Sequence, residues 1–234
     1  MRCATSWIRS CSSPPGAAVT RAGRVVGTIP DIDVAFGAPY ADSMSQEPLT
    51  VRRWTRVEYE RLVDLGAFDR ESLELVCGQL IVAEPQGSYH VTAVGMIASR
   101  LQAVLPPGWI VRVQAPLALD AESEPEPDIA VLRGTWADYR DAHPSTAALV
   151  VEVADSSLAF DRVDKASLYA RARLADYWIV NLADRMVEIY RDPAADPAAR
   201  HGWSYRSRLT LPPSETATPL AVPSVTVLVG ELLP

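Results

Sequence analysis

The stretch ALVVEVADSSLAFDRVDKASLYARARLADYWIVN, residues 148–181, decides the fold. Its first part, ALVVEVA at 148–154, is an almost continuous apolar run, which is typical of a central strand covered on both faces. The spacing of apolar residues predicts a helix over 161–174. DYWIVN, at 176–181, then predicts a second strand rich in aromatic and β-branched residues. The stretch therefore indicates a layered protein in which at least one helix covers a β-sheet.

The flanking sequence adds further elements on both sides of this unit. We predict a short amphipathic helix over 55–66, with Val57, Leu62 and Leu65 facing inward and Gly66 ending it. The other expected elements are a β-hairpin at 73–85 turning near Cys77-Gly78, a helix at 90–108, strands at 109–119, 127–132, 186–192 and 203–211, and a last strand with a short cap within 223–233. This order predicts an α/β protein of the α+β type, with a mixed central sheet, flanking helices and additional strands.

Residues 1–43 differ from the rest of the chain. They have no sustained periodicity, and Gly, Pro, Ser and Ala interrupt them throughout. We interpret them as a disordered leader, or as the product of a start assigned too early, with Met44 as the natural start. Residues 44–234 are then expected to form a single domain, which the length allows.

Composition narrows the class of protein. The formal net charge of −7 argues against avid, non-specific binding of nucleic acid, which depends on many Lys and Arg contacts to phosphates, although a local basic groove is still allowed. No apolar run approaches the ~20 residues of a membrane-spanning helix, so no membrane partner is expected. The three cysteines form no CxxC pair and no plausible disulfide framework. A reducing, cytoplasmic location is the simplest interpretation.

Two carboxylates interrupt apolar strands. Asp128 begins PDIAVL at 127–132, and Glu152 lies within ALVVEVA. A buried carboxylate is costly unless it is hydrogen-bonded, paired or bound to a metal. Either residue alone could lie at a strand end and reach water, but two of them on neighbouring short strands favour a shared site.

Lys165 is the only lysine among the 22 Lys and Arg residues. A coding bias toward arginine could leave one lysine by chance. However, Lys and Arg are not interchangeable, because lysine is a compact charge whose pKa shifts readily. Asp161 lies four residues earlier on the expected helix, so the two could form a solvated surface ion pair. Alternatively, the helix lays Lys165 across the carboxylate-bearing strands.

Several short motifs together resemble one known family. They are ELVCGQL at 74–80, SYH at 88–90, PD at 127–128, EVADSS at 152–157, D-x-x-x-K at 161–165, YA at 169–170 and DYWIV at 176–180. In order and spacing they are similar to the restriction endonuclease family known as the Uma-two endonucleases, within the PD-(D/E)XK nuclease superfamily. The resemblance spans roughly residues 54–234.

Two departures from the pattern stand out. In the common form of the superfamily motif, a lysine stands two residues after the glutamate, and here that position is Ala154. The resemblance therefore assigns the role of the motif lysine to Lys165, on the next helix. Arg173-Leu174 replaces the family's usual glycine-valine, which removes the glycine that would end this helix.

The resemblance implies a restriction-endonuclease-like core and metal-dependent hydrolysis of phosphodiester bonds, with DNA as the expected partner. Mg²⁺, or Mn²⁺ in its place, prefers oxygen ligands, which Asp128, Glu152 and the backbone carbonyl of Val153 could supply. Lys165 would orient or help deprotonate the attacking water, or offset charge on the phosphate. Glu74 is a second candidate for binding or orienting the metal, unless it is an edge-strand surface residue. Cutting of both strands further implies a homodimer, and the residues themselves leave DNA and RNA open.

Two other classes of protein are compatible with this sequence, whereas several common enzyme motifs are missing from it. The sequence contains no H-E-x-x-H, G-x-G-x-x-G, P-loop or G-x-S-x-G motif. The main alternative is a nuclease-like module without catalytic activity that binds nucleic acid or a protein partner. A third is a structural protein with an accidental motif. A lone histidine such as His90, at the start of a helix, is more often a helix-terminal contact than a ligand.

Overall fold

The structure is a computed structural model that describes residues 50–69, 71–83 and 85–234. The predicted leader and the alternative start at Met44 lie outside these residues. Thr50–Pro234 form one compact unit. Within the described ranges, no helix has the length and hydrophobicity needed to cross a membrane.

A six-stranded mixed sheet forms the centre of this unit. Its strands are β3 (Trp109–Val113), β4 (Ile129–Arg133), β5 (Leu149–Ala154), β6 (Asp176–Asn181), β7 (Met186–Ala195) and β8 (Trp203–Leu211), in that spatial order. Only β5 and β6 are parallel to each other, and the helical segment 158–171 connects them. All other neighbouring pairs are antiparallel. The predicted α/β class with a mixed central sheet is therefore confirmed.

Further elements flank this sheet or pack on those that do. They are the helix α1 (Arg56–Asp64), the hairpin strands β1 (Leu73–Val76) and β2 (Gln79–Val82), the helix α2 (Ser88–Val104), and a small C-terminal pair, β9 (Thr216–Ala217) and β10 (Val227–Leu228), followed by a 3₁₀ turn (Val229–Leu232). The predicted hairpin turns at Cys77-Gly78, as expected.

Strand alternation divides the core into two layers. On β5, Val151 and Val153 pack with α2 and the C-terminal segment, whereas Val150 and Ala154 pack toward the hairpin and the helical segment 158–171. The expected apolar face of α2 is buried, with Val94, Ile97 and Leu101 at most 4 % exposed. The continuous apolar run of β5 follows from coverage on both faces.

The prediction for α1 is wrong in detail. Val57 and Leu65, expected to face inward, are 69 % and 73 % exposed. The buried residue is Tyr59, whose ring stacks on Phe68 and whose hydroxyl donates to the carbonyl of Leu73 at 2.5 Å. A short helix can dock through a single aromatic side chain, and its apolar spacing then does not identify its buried face.

The predicted helix over 161–174 begins and ends earlier. It consists of α3 (Leu158–Phe160), a π-helical turn (Asp161–Lys165) and α4 (Ala166–Arg171). The amides of Arg173 and Leu174 donate to the carbonyls of Ala170 and Tyr169, which is the pattern of a Schellman motif. The stop therefore forms without glycine, with Arg173 in the left-handed region at φ 58°.

Replacing Arg173 by glycine is expected to stabilise the protein. A left-handed backbone costs a side-chain-bearing residue about 1 kcal/mol, and glycine adopts it freely. The guanidinium of Arg173 lies 5.6 Å from the ring of Trp203, a contact whose loss offsets part of the gain. We expect the free energy of unfolding to rise by about 0.5 kcal/mol, measured by urea denaturation. A decrease would contradict strain at this position.

Candidate active site

Four separate elements bring the predicted site residues together. Glu74 lies on β1, Asp128 directly precedes β4, Glu152 lies on β5, and Lys165 ends the π-helical turn. Each of the four is no more than 9 % exposed, yet all of them line one cleft of about 520 Å³. Val153, the fifth predicted residue, also lines this cleft. The alternative that Glu74 is a surface residue at a strand edge is therefore wrong.

The two strand carboxylates are fixed by each other's backbone. Ile129 of β4 is paired with Val151 of β5, so Asp128 and Glu152 are neighbours just beyond the last pair of this ladder. The amide of Asp128 donates to Oε2 of Glu152 at 3.1 Å, and the amide of Val153 donates to Oδ2 of Asp128 at 2.8 Å. Such charge-assisted bonds hold both carboxylates in one orientation.

Lys165 reaches the carboxylates from the helical segment that follows β5. Its Nζ lies 2.5 Å from Oε2 of Glu74 and 3.3 Å from Oε1 of Glu152. Isolated π-helical turns occur frequently at functional sites, and this one directs the lysine toward the sheet. The hydroxyl of Tyr177 donates to the carbonyl of Asp161 at 3.0 Å and ties the start of the turn to β6.

The structure contradicts a surface ion pair between Asp161 and Lys165. Both residues are 4 % exposed, and Lys165 binds the two glutamates instead. Asp161 accepts a hydrogen bond from Oγ of Ser157 at 2.5 Å.

The cleft contains more carboxyl groups than its one lysine can neutralise. Burial raises the pKa of Glu152 to about 8. The positive charge of Lys165 lowers this pKa, whereas the nearby carboxylates, Asp128 among them, raise it further. Burial likewise raises the pKa of Asp161 to about 6. Burial alone would lower the pKa of Lys165, but Glu152 and Glu74 outweigh it and raise that pKa. A further cation would relieve this excess of negative charge.

The donor set fits a hard divalent cation. No three His, Cys, Asp or Glu side chains within the described ranges are arranged to enclose a metal ion unaided. Mg²⁺ does not require this, because it usually binds one or two carboxylates and keeps water or phosphate oxygens in its other positions. Asp128 and Glu152, side by side on an open cleft, match that requirement.

Four residues that the sequence did not place in the site contact it. The hydroxyl of Tyr169 donates to Oε1 of Glu152 at 2.6 Å. Oδ1 of Asp128 lies 3.1 Å from Nε2 of His90, 3.2 Å from Nε2 of Gln114 and 3.5 Å from Nε2 of Gln86. The motifs YA and SYH contain Tyr169 and His90 and could have pointed to them, whereas no sequence signal marks Gln86 or Gln114.

Comparison with known proteins agrees with this architecture. A family model described as "Uma2: Putative restriction endonuclease" matches residues 56–229. A crystal structure of "a putative nuclease belonging to DUF820" from Anabaena variabilis ATCC 29413 superposes with a TM-score of 0.53 at 14 % sequence identity, over 76 % of this chain and 97 % of that chain. This likeness shows a shared fold. No curated protein matches the chain.

The family match covers most of the chain and includes every segment that carries a predicted site residue. The site motifs at 74–80, 127–128, 152–157 and 161–165 all fall inside it. The chain belongs to the Uma2 restriction endonuclease family.

Proposed function

We propose that the protein is a divalent-metal-dependent endonuclease that hydrolyses phosphodiester bonds in DNA. The observation that carries this proposal is the convergence of Asp128, Glu152 and Lys165 on one cleft from three separate elements. Membership of the Uma2 family and the nuclease-like fold support it. The homodimer expected for cutting both strands stays a prediction.

Asp128 and Glu152 would hold Mg²⁺ or Mn²⁺, with the carbonyl of Val153 as a further oxygen donor. A divalent cation at this place supplies Lewis-acid stabilisation of the phosphate and lowers the pKa of water beside it. Lys165 keeps its proton between two carboxylates, so it acts as a hydrogen-bond donor. It stabilises negative charge developing on the phosphate and orients the attacking water. Glu74 holds the ammonium in place.

Cleavage of supercoiled plasmid tests the proposal. Wild-type protein with Mg²⁺ or Mn²⁺ is expected to convert the plasmid to nicked and linear forms, and chelation by EDTA should stop the reaction. Lys165→Ala and Glu152→Ala are each expected to lower the cleavage rate by at least ~100-fold, because each removes a charge that acts in the transition state. All three proteins are purified in parallel by the same procedure, so that a contaminant would appear in each.

The outcomes separate the competing functions. Cutting that persists in both variants would mean that another site, or a contaminant, is responsible. A wild-type protein that retards DNA in a gel but does not cut it would favour the nuclease-like binding module. If the wild-type protein neither cuts nor retards DNA or RNA, the structural-protein alternative is favoured.

A further inference from the structure

Gln114 contacts Asp128 twice. Its backbone amide donates to the carbonyl of Asp128 at 3.0 Å, and its side-chain Nε2 donates to Oδ1 of Asp128 at 3.2 Å. The last pair of the β3–β4 ladder is Val113 with Ile129, so Gln114 and Asp128 are the next residues on the two strands. The side chain of Gln114 is thus held beside Asp128 by the backbone of both strands.

The backbone of Gln114 is strained. Its φ of 45° lies in the left-handed region, where residues other than glycine, asparagine and aspartate are uncommon. This conformation also explains why the strand predicted over 109–119 ends at Val113. Glycine or asparagine would adopt it more easily, so the reason for glutamine has to lie in its side chain.

The side-chain amide has a second partner that ties it to α2. Nε2 of Gln114 also donates to Oε1 of Gln86 at 2.6 Å, so its two N–H groups serve Gln86 and Asp128. Gln86 lies just before α2, whose residue His90 provides the third contact to Oδ1 of Asp128. The glutamine pair therefore links the end of β3 to the start of α2 around one carboxylate oxygen.

We propose that Gln114 is a positioning residue for Asp128, held in a strained backbone so that its amide fixes the carboxylate in the orientation that binds the divalent cation. This inference rests on the proposed function, because it takes Asp128 as a metal ligand. Hydrogen-bonding partners that orient a ligand typically change metal affinity or activity by 10- to 100-fold when they are removed.

The proposal predicts that metal affinity falls while stability changes little. Gln114→Asn keeps an amide and tolerates the left-handed backbone, but its side chain is one methylene too short to reach Oδ1. Gln114→Gly removes the side chain and the strain together. Both variants of the full chain are expected to melt within about 2 °C of wild type without metal, because relief of the strained backbone offsets the lost hydrogen bonds, and to bind Mn²⁺ at least ~10-fold more weakly. Isothermal titration with Mn²⁺ alone gives the affinity, and calorimetric melting gives the Tm.

Arg173→Gly is the matched control, because it relieves a left-handed backbone outside the cleft. It should raise the Tm and leave the Mn²⁺ affinity within twofold of wild type. If Gln114→Asn and Gln114→Gly bind Mn²⁺ as tightly as wild type, the positioning role is wrong while the metal site stands. If wild type itself binds no Mn²⁺, the metal site and the positioning role are both overturned.

Discussion

Replacing Lys165 by methionine is expected to lower the free energy of unfolding by about 3 kcal/mol at pH 8. The ammonium is 4 % exposed and lies within hydrogen-bonding distance of Glu74 and Glu152. Methionine fills a similar volume without a charge, so two buried carboxylates lose their cation. Removing one partner of a buried ion pair costs far more than the pair itself contributes, because the remaining charge is left uncompensated.

The loss of stability should depend on pH. In the variant, Glu152 loses the positive charge that lowers its pKa, so burial and the neighbouring carboxylates raise that pKa further above its unfolded value of about 4.5. A carboxyl with a raised folded-state pKa makes folding less favourable as pH rises from the unfolded to the folded value. The difference between wild type and Lys165→Met should therefore be smaller at pH 6, where Glu152 is protonated in both proteins, than at pH 9, where Glu152 ionises more readily beside Lys165. Urea denaturation at both values measures it.

A double variant isolates the ion pair. In Lys165→Met/Glu74→Gln, one of the orphaned carboxylates becomes neutral, and the glutamine oxygen can still accept from the amide of Glu126, as Glu74 does at 3.1 Å. We expect the double variant to be at least ~1 kcal/mol more stable than Lys165→Met. It should still fail to cut plasmid, because neither substitution restores the ammonium. Equal stability of the two variants would mean that Lys165 does not neutralise Glu74.

The strand framework of the protein was predictable from local sequence. The apolar run of β5, the aromatic strand β6 and the helical spacing of α2 each reflect burial that the chain must satisfy whatever its neighbours are. The two strand carboxylates could be recognised for the same reason, since charge in such runs requires a partner.

The features that depend on distant partners were not predictable in this way. Glu74 and Lys165 are 91 positions apart, and no local pattern indicates that they meet. The π-helical turn and the left-handed backbone of Gln114 both depart from local propensity, and both hold a side chain against a carboxylate of the cleft. Local rules are expected to fail at functional sites, where the surrounding structure imposes strain.

Asp128→Asn is expected to abolish the stabilisation of the protein by divalent metal. A ligand that binds only the folded state adds about 2.7 kcal/mol at a concentration 100 times its Kd. For a domain of this size, that corresponds to a rise in Tm of roughly 5–10 °C with Mg²⁺ or Mn²⁺ in wild type. Asparagine keeps the shape of the side chain but removes the negative charge that binds the cation, so the rise should disappear and the cleavage rate should fall by at least ~1,000-fold.

The shape of the site makes this variant informative. In Asp128→Asn the one side-chain oxygen would still accept from the amide of Val153, as Oδ2 of Asp128 does at 2.8 Å, whereas the NH2 group would face the donors Gln114 and Gln86. The Tm without metal therefore has to be measured first, as a check that the variant is folded. Asp184→Asn is the matched control, because its carboxylate binds Asn181 and lies outside the residues that line the cleft. A metal-dependent rise in Tm that survives in Asp128→Asn but not in Glu152→Ala would place the cation on Glu152 alone. A rise that survives in both would move the metal site out of the cleft, because Asp128 and Glu152 are the carboxylates that adjacent strands fix side by side.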